Sequence, residues 1–358
     1  MTTISTMGQV NDQIARLTAL QEQLNNLTIQ ISSGKKTNLF KGLGMDVTTD
    51  AKAHSNLDML AAFNNNITIA DRRIKMMNSS MGQFQNQTRN IVSSMEIQTQ
   101  EGQIDLNTLG RLGDNSVAFM TNLLNTQDGD HYLFGGADTL TPPIGSTGTL
   151  DTYLQTQINN WVNGTITTDQ LIASYRDRTQ LTDTLMGYSP TLAAGNAKGL
   201  YVRADANADI NYTSLASAQG YRDLLVGANM IKNLSQILDK VSLEATDNPA
   251  TTVTAPGAGK TQQNDNFFQV YNDIIVMMNS GLKLVDDEST NVGLAWNQMQ
   301  QIQSNHTVDQ NTLQSTIGTL EDVDLNDAAL KISALQTQLS ASYQITAALS
   351  NLSLTKYL

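Results

Sequence analysis

A chain of 358 residues, 40% hydrophobic but only 15% charged and 5% aromatic, can build two or three structural units and leans towards long helices with thin cores. Its net charge of -12 argues against nucleic acid or an anionic membrane as partner, since both require a positive field. With no cysteine, disulfides, zinc thiolate sites and thiol nucleophiles are excluded, and no run approaches the roughly eighteen apolar residues of a membrane span. The N-terminal stretch has no Lys or Arg before Arg16 and no unbroken apolar core, so it does not read as a cleavable secretory signal.

Residues 4–31 carry a heptad seam of Met7, Val10, Ile14, Leu17, Leu24 and Ile31, interrupted by Gln21 and Thr28 and widened by Leu20 and Leu27. Only Asp12, Arg16 and Glu22 are charged in this segment, so the back of the predicted helix is uncharged. Ser32-Ser33-Gly34 should end it, with Gly34 suited to a left-handed cap. A basic, glycine-containing loop follows through Lys35, Lys36 and Lys41 to Gly44.

From about Thr49 to Glu101 the three-four repeat is the strongest in the chain (Leu60, Phe63, Ile67, Ala70, Ile74, Met77, Met81, Phe84, Ile91, Met95), and it predicts one long helix with a charged outer face. Its methionines sit at core spacing and need no recognition role. A shorter helix is predicted for 107–124, then a strand at 131–134 after the Asp128-Gly129 turn. Between 137 and 263 the periodicity changes to short apolar runs and one helix near 218–238, which reads as an inserted α+β or β-rich domain. Thr251–Gln263 reads as a linker, and helix resumes from Phe267 with a possible interruption at Ser280-Gly281.

The last stretch, Thr319–Leu358, has neither Gly nor Pro and reads as a helix. Leu325, Ile332, Leu335 and Leu339 form its stripe, continued after a one-residue slip by Ile345, Leu349 and Leu352, with Leu358 closing the chain. Its other face is Ser, Thr, Gln and Asn, so both chain ends share one chemistry and are expected to pair. Mediocre helix formers on that face make packing the source of stability.

No catalytic or ligand-binding motif is complete in the sequence. Gly259-Lys260-Thr261 ends like a phosphate loop, but Thr254 stands where the first glycine belongs and no apolar strand precedes it. Asp205, Asn207 and Asp209 alternate as in a calcium loop, yet Ile210 and Ala216 replace the required Gly and Glu, so a polar turn is expected. His54, His131 and His306 show no metal spacing, there is no nucleophile elbow, and Asp286-Asp287-Glu288 reads as helix-terminus acids on a solvated surface. No enzyme, metal or cofactor is expected.

Two features together resemble a known family. The seam ending Ile31-Ser32-Ser33-Gly34-Lys35-Lys36, with a C-terminal Ser342-Tyr343-Gln344 running to Ser350-Asn351-Leu352-Ser353-Leu354, resembles the flagellin-like axial proteins of bacterial flagella. Within that superfamily, His131-Tyr132-Leu133-Phe134-Gly135-Gly136 through Thr141-Pro142-Pro143, and the ending Leu352 to Leu358, look like the hook-filament junction family, the third hook-associated protein. Residues 38–46 depart from that family's usual turn.

The resemblance implies a mainly α fold: 1–32 with 325–358 as a terminal coiled coil, 33–136 with 264–324 as a long-helix bundle, and 137–263 inserted outermost. It implies an adaptor in the flagellum, outside the cell, exported through the flagellar type III pathway without signal cleavage. Its partners would be copies of itself in a tubular ring, flagellin, a neighbouring hook-associated protein and an export chaperone for the C-terminal helix. The terminal seams, Met7 to Ile31 and Leu325 to Leu358, would be the assembly interface. Rival readings are flagellin itself, an enzyme housed in 137–263, and an exported coiled-coil adhesin.

Overall fold

The computed structural model describes residues 2–101, 104–238 and 254–354, without the side chains of 2–7, 9–10, 40–41 and 349–354. In chain order the described helices are α1 (Thr2–Ser33), α2 (Val47–Glu101), α3 (Leu106–Leu124), α4 (Gly148–Val162), α5 (Thr168–Arg176), α6 (Pro190–Ala193), α7 (Gln219–Ile237), α8 (Lys260–Glu321) and α9 (Leu325–Leu354). The strands are β1 (Gln127–Asp128), β2 (His131–Tyr132), β3 (Tyr201–Asp205) and β4 (Ala208–Asn211). The protein is mainly α, with long helices and, among the described residues, two small antiparallel sheets, β1-β2 and β3-β4. It divides into two compact units, Met1–Ala62 with Asn305–Leu358, and Phe63–Ser304.

In the first unit, α1 ends where the sequence says. Gly34 takes φ +71° and its N–H bonds to the Gln30 carbonyl at 2.8 Å, a left-handed cap that a side chain would strain. The chain then runs antiparallel to the end of α8: Lys35 bridges Asp322, Lys36 N–H donates to Glu321 O at 2.6 Å, and Val323 N–H to Gly34 O at 3.0 Å. The Lys36 ammonium donates to the carbonyls of Thr319 (2.7 Å) and Leu320 (2.9 Å), covering orphan acceptors at the negative end of α8.

These bonds correct the reading of Thr319–Leu358 as one helix. The chain leaves α8 at Glu321 and re-enters helix at Leu325, where Asp324 Oδ1 accepts from the N–H groups of Asn326 (2.9 Å) and Asp327 (3.1 Å). A paired backbone and an N-cap break the helix without Gly or Pro. Residues Phe40–Asp46, in the loop that departs from the family turn, form a 3-10 turn with Gly44 at φ +62°.

The second unit holds the main core. The α2 stripe is buried as its period dictates, from Phe63 through Ile67, Ala70, Ile74, Met77, Met81, Phe84, Ile91 and Met95. Thr88, the polar break in that stripe, is also buried and returns its hydroxyl to Phe84 O at 3.0 Å. Tyr221 of α7 meets the rings of Phe84 and Phe134 edge-on at 5.4 and 5.8 Å. Its hydroxyl pairs with Ser214 at 2.9 Å.

Helix α7 packs against α3 and α8 through small residues. A Cβ on Gly113 of α3 would lie 2.8 Å from Ala228 O, and one on Gly227 of α7 would lie 2.5 Å from Met278 Cγ of α8. This corrects the expected break at Ser280-Gly281: α8 runs without interruption, and Gly281 is there because another backbone passes close, not because the helix ends. The Asp205–Asp209 alternation is the turn between β3 and β4, which pair Val202 with Ile210.

Candidate functional site

Helices α1 and α9 pack along one seam in the first unit. On α1 it is formed by Leu17, Leu20, Leu24, Leu27 and Ile31, each half-buried. On α9 it is formed by Ala328, Ile332, Leu335 and Leu339, then by Ser342 and Thr346. Only Ala328 and Leu339 of these are fully buried, at 1% and 7% exposure. Two polar contacts continue the register: Gln21 Nε2 donates to Tyr343 Oη at 2.7 Å, and the Thr346 hydroxyl to Gln13 Oε1 at 3.4 Å.

A pair of helices buries one stripe each, and these two carry more apolar surface than that. Ile14 (52%), Leu325 (54%), Tyr343 (50%), Ile345 (53%) and Leu330 (72%) remain exposed. At about 100° per residue, Leu325 and Tyr343 lie roughly 60° to one side of the α9 seam, Ile345 roughly 100° to the other, and Leu330 nearly opposite. Little charge keeps this surface in water, since between Leu325 and Ile345 only Asp327 and Lys331 are charged, and they pair with each other at 2.6 Å.

Of the residues predicted for assembly, the structure brings Leu17, Leu24, Ile31, Ile332, Leu335 and Leu339 to the seam and leaves Ile14, Leu325 and Ile345 outside it. Met7, Val10, Leu349 and Leu352 have helical backbones, but their side chains lie outside the described residues, as does Leu358 altogether. Leu330 and Tyr343 are further exposed residues of α9 that the predicted stripe leaves out. Leu330 falls off every three-four stripe, and an apolar residue alone on a polar face was its only signal.

A second cluster corrects the expectation that His54 has no carboxylate at metal spacing. Asp50 and His54 are one turn apart on α2, and their ligand atoms lie with one from Glu321, the last residue of α8, all within 4.8 Å of one another. His54 Nε2 is 2.8 Å from Glu321 Oε1 and 3.9 Å from Asp50 Oδ1. Lys35 Nζ holds the other Glu321 oxygen at 2.9 Å and Asp322 at 2.7 Å. Hydrogen bonds from His54 and Lys35 hold the Glu321 carboxyl below its ordinary range, whereas burial and the Glu321 charge push Asp50 up. The i, i+4 spacing of Asp50 and His54 was visible in the sequence, but Glu321 is 267 residues from His54.

The remaining motifs are structural in their surroundings. Lys260 begins α8, and residues before it are fastened down: Ala255 is buried and Asn266 Nδ2 donates to Pro256 O at 2.6 Å, so 254–259 is less free than a linker. His131 Nδ1 pairs with Thr139 Oγ1 at 2.8 Å, and His306 is buried. Asp286, Asp287 and Glu288 lie inside α8 rather than at its terminus.

Residues 275–358, which take in most of α8 and all of α9, match the family described as the bacterial flagellin C-terminal helical region. The C-terminal region is therefore flagellin-like, and the match indicates a structural, non-enzymatic protein. No curated protein sequence matches the chain. Among solved structures the chain is similar to one described as a flagellar hook-associated protein from Vibrio parahaemolyticus, at 10% identity and a TM-score of 0.46, covering 77% of this chain and 97% of that one.

Proposed function

We propose that the protein is a structural subunit of the bacterial flagellum that joins the hook, through another hook-associated protein, to the flagellin filament. The observation that carries the structural role is the surplus apolar surface of α1 and α9: after they have covered each other, Ile14, Leu325, Leu330, Tyr343 and Ile345 still face outwards on several sides. Isolated exposed apolar residues are ordinary, but a helix with them on both flanks and the back fits a place among other helices. Copies of the chain in a tubular ring supply those helices. The flagellin-like character of 275–358, which contains all of α9, supports the same surroundings.

In this reading 1–32 with 325–358 forms the inner layer, 33–136 with 264–324 the next, and 137–263 faces the medium. The chain leaves the cell by the flagellar type III route, its C-terminal helix covered by an export chaperone until assembly, and the terminal seams order fully on docking. Fluorescently labelled protein on intact flagella tests the proposal. A single band at the hook-filament boundary is expected, and label along the filament would replace it with the second reading.

That second reading is flagellin itself, and the family match, which is to flagellin, favours it. Purified chain added to filament seeds separates the two: a flagellin elongates them extensively and a junction subunit does not.

A further inference from the structure

We propose that Asp50, His54 and Glu321 form a binding site for a borderline first-row divalent cation such as Zn2+, tying the start of α2 to the end of α8. The inference stands apart from the flagellar reading, and neither depends on the other.

The donors are placed for it. One atom from each residue lies within 4.8 Å of the others, and the closest pair, His54 Nε2 and Glu321 Oε1, is 2.8 Å apart. Donors bound tetrahedrally at zinc distances sit about 3.4 Å from one another, so small side-chain adjustments bring all three onto one ion. Lys35 occupies only Oε2 of Glu321, leaving Oε1 on the histidine side.

The second observation is Asp50 itself. It is 0% exposed, and neither carboxylate oxygen has a hydrogen-bond partner. A buried carboxylate without donors is costly, and native structures provide such a group with a proton, a donor or a cation. His54 Nε2 is 3.9 Å away, too far for a hydrogen bond, and the other neighbour of Asp50 in the cluster, Glu321, is an acceptor when ionised.

Charge and donor type narrow the ligand. With all three carboxyls ionised and His54 neutral, Asp50, Glu321 and Asp322 against the one ammonium of Lys35 leave a charge of -2. A divalent ion cancels that charge. One imidazole nitrogen with two carboxylates suits zinc and its neighbours better than magnesium or calcium, which favour all-oxygen shells. The His54 side chain is 43% exposed, which provides a way in and leaves room for water as a fourth ligand.

The site would act as a staple. Asp50 and His54 stand on adjacent turns of α2, and Glu321 stands at the break where α8 gives way to α9. The backbone bridge between Lys35 and Asp322 lies beside it. A bound ion would fix the junction from which α9 departs.

Calorimetric titration of the full chain with Zn2+ in chelator-stripped buffer at neutral pH tests the site, with His54→Gln, Asp50→Asn and Glu321→Gln as variants. The sequence contains no cysteine and only two other histidines, so background binding is low. One Zn2+ per chain is expected, with a higher melting temperature on binding, and at least tenfold weaker binding in each variant. Absence of stoichiometric binding overturns the proposal, as does unchanged binding in His54→Gln, which places the ion elsewhere. Circular dichroism checks each variant for folding; should Asp50→Asn not fold, His54→Gln, at a half-buried position, decides the question alone.

Discussion

Gly220 of α7 and Gly281 of α8 lie back to back: a Cβ on either would stand 3.0 or 3.1 Å from the other's carbonyl oxygen. The Gly281 Cβ would also meet Leu224 Cδ2 at 2.9 Å, whereas one on Gly293 of the same helix would meet nothing within 4 Å. The same substitution should therefore act in opposite directions. Gly281→Ala is expected to destabilise by about 1 kcal/mol or more through overpacking, and Gly293→Ala to stabilise by about 0.5–1 kcal/mol through helix propensity. Urea midpoints measure both, and shifts of the same sign would contradict the packing described.

Leu339 and Leu330 separate the internal seam from the outward surface. Leu339→Asp buries a charge between α1 and α9 and should melt that pair in the free chain, seen as lost helical signal. Leu330→Asp changes an exposed position and should leave monomer stability within about 0.5 kcal/mol while abolishing incorporation into flagella. A Leu330→Asp chain that assembles normally removes that face from the interface.

Amide exchange in the free chain should follow burial. The α7 segment around Tyr221, Leu224, Leu225 and Ala228 is covered on every side, so its amides should exchange most slowly. Those of Gln13–Ile31 and Leu325–Thr346, where most side chains are half-buried or exposed, should exchange fastest among the long helices. Equal protection in both sets would mean that the terminal pair is already as stable as the core.

Asp128 links the β1-β2 hairpin to α2, accepting from Arg72 Nε (2.9 Å), Arg72 Nη2 (2.8 Å) and Arg73 Nε (3.3 Å). The Arg72 hydrogen bonds, with those of Arg73, hold the carboxyl below its ordinary value despite the opposing effect of burial. A depressed folded value means that the stabilisation is fully present above the ordinary carboxylate range, near pH 3.9, and is lost as pH falls through the folded value. Asp128→Asn should therefore be less stable than the parent at neutral pH, with the difference closing only below about pH 4. Denaturant midpoints across pH 2.5–7 measure it; a constant gap would exclude the ion pairs as the cause.

The long helices were legible because their burial repeats every three or four residues. The α2 stripe from Phe63 to Met95 was read almost residue for residue. Helix α4 is not among the predicted elements although Leu150, Leu154, Ile158 and Trp161 keep the same period, because a Gly-, Ser- and Thr-rich run leads directly into it and at 15 residues its stripe is short. On α1 the register shifted: Leu20 and Leu27 line the seam, while Ile14 lies off it. A two-helix contact selects a narrow line that a broad stripe does not specify. The end of α8 was illegible for another reason, since its terminator, Lys35 and Lys36, lies nearly 300 residues away in sequence. The same distance hid Glu321 from Asp50 and His54.

Gln21 and Tyr343 meet across 322 residues of chain, and that separation orders events in time. Contacts so remote in sequence pay the largest loop-closure entropy, so the remainder of the fold is expected to form first. Whichever of α1 and α9 is synthesised or threaded first must wait for its partner. During that interval its leucines are open to any other binder, which gives an escort protein or a neighbouring subunit a chance to engage them before the chain closes on itself.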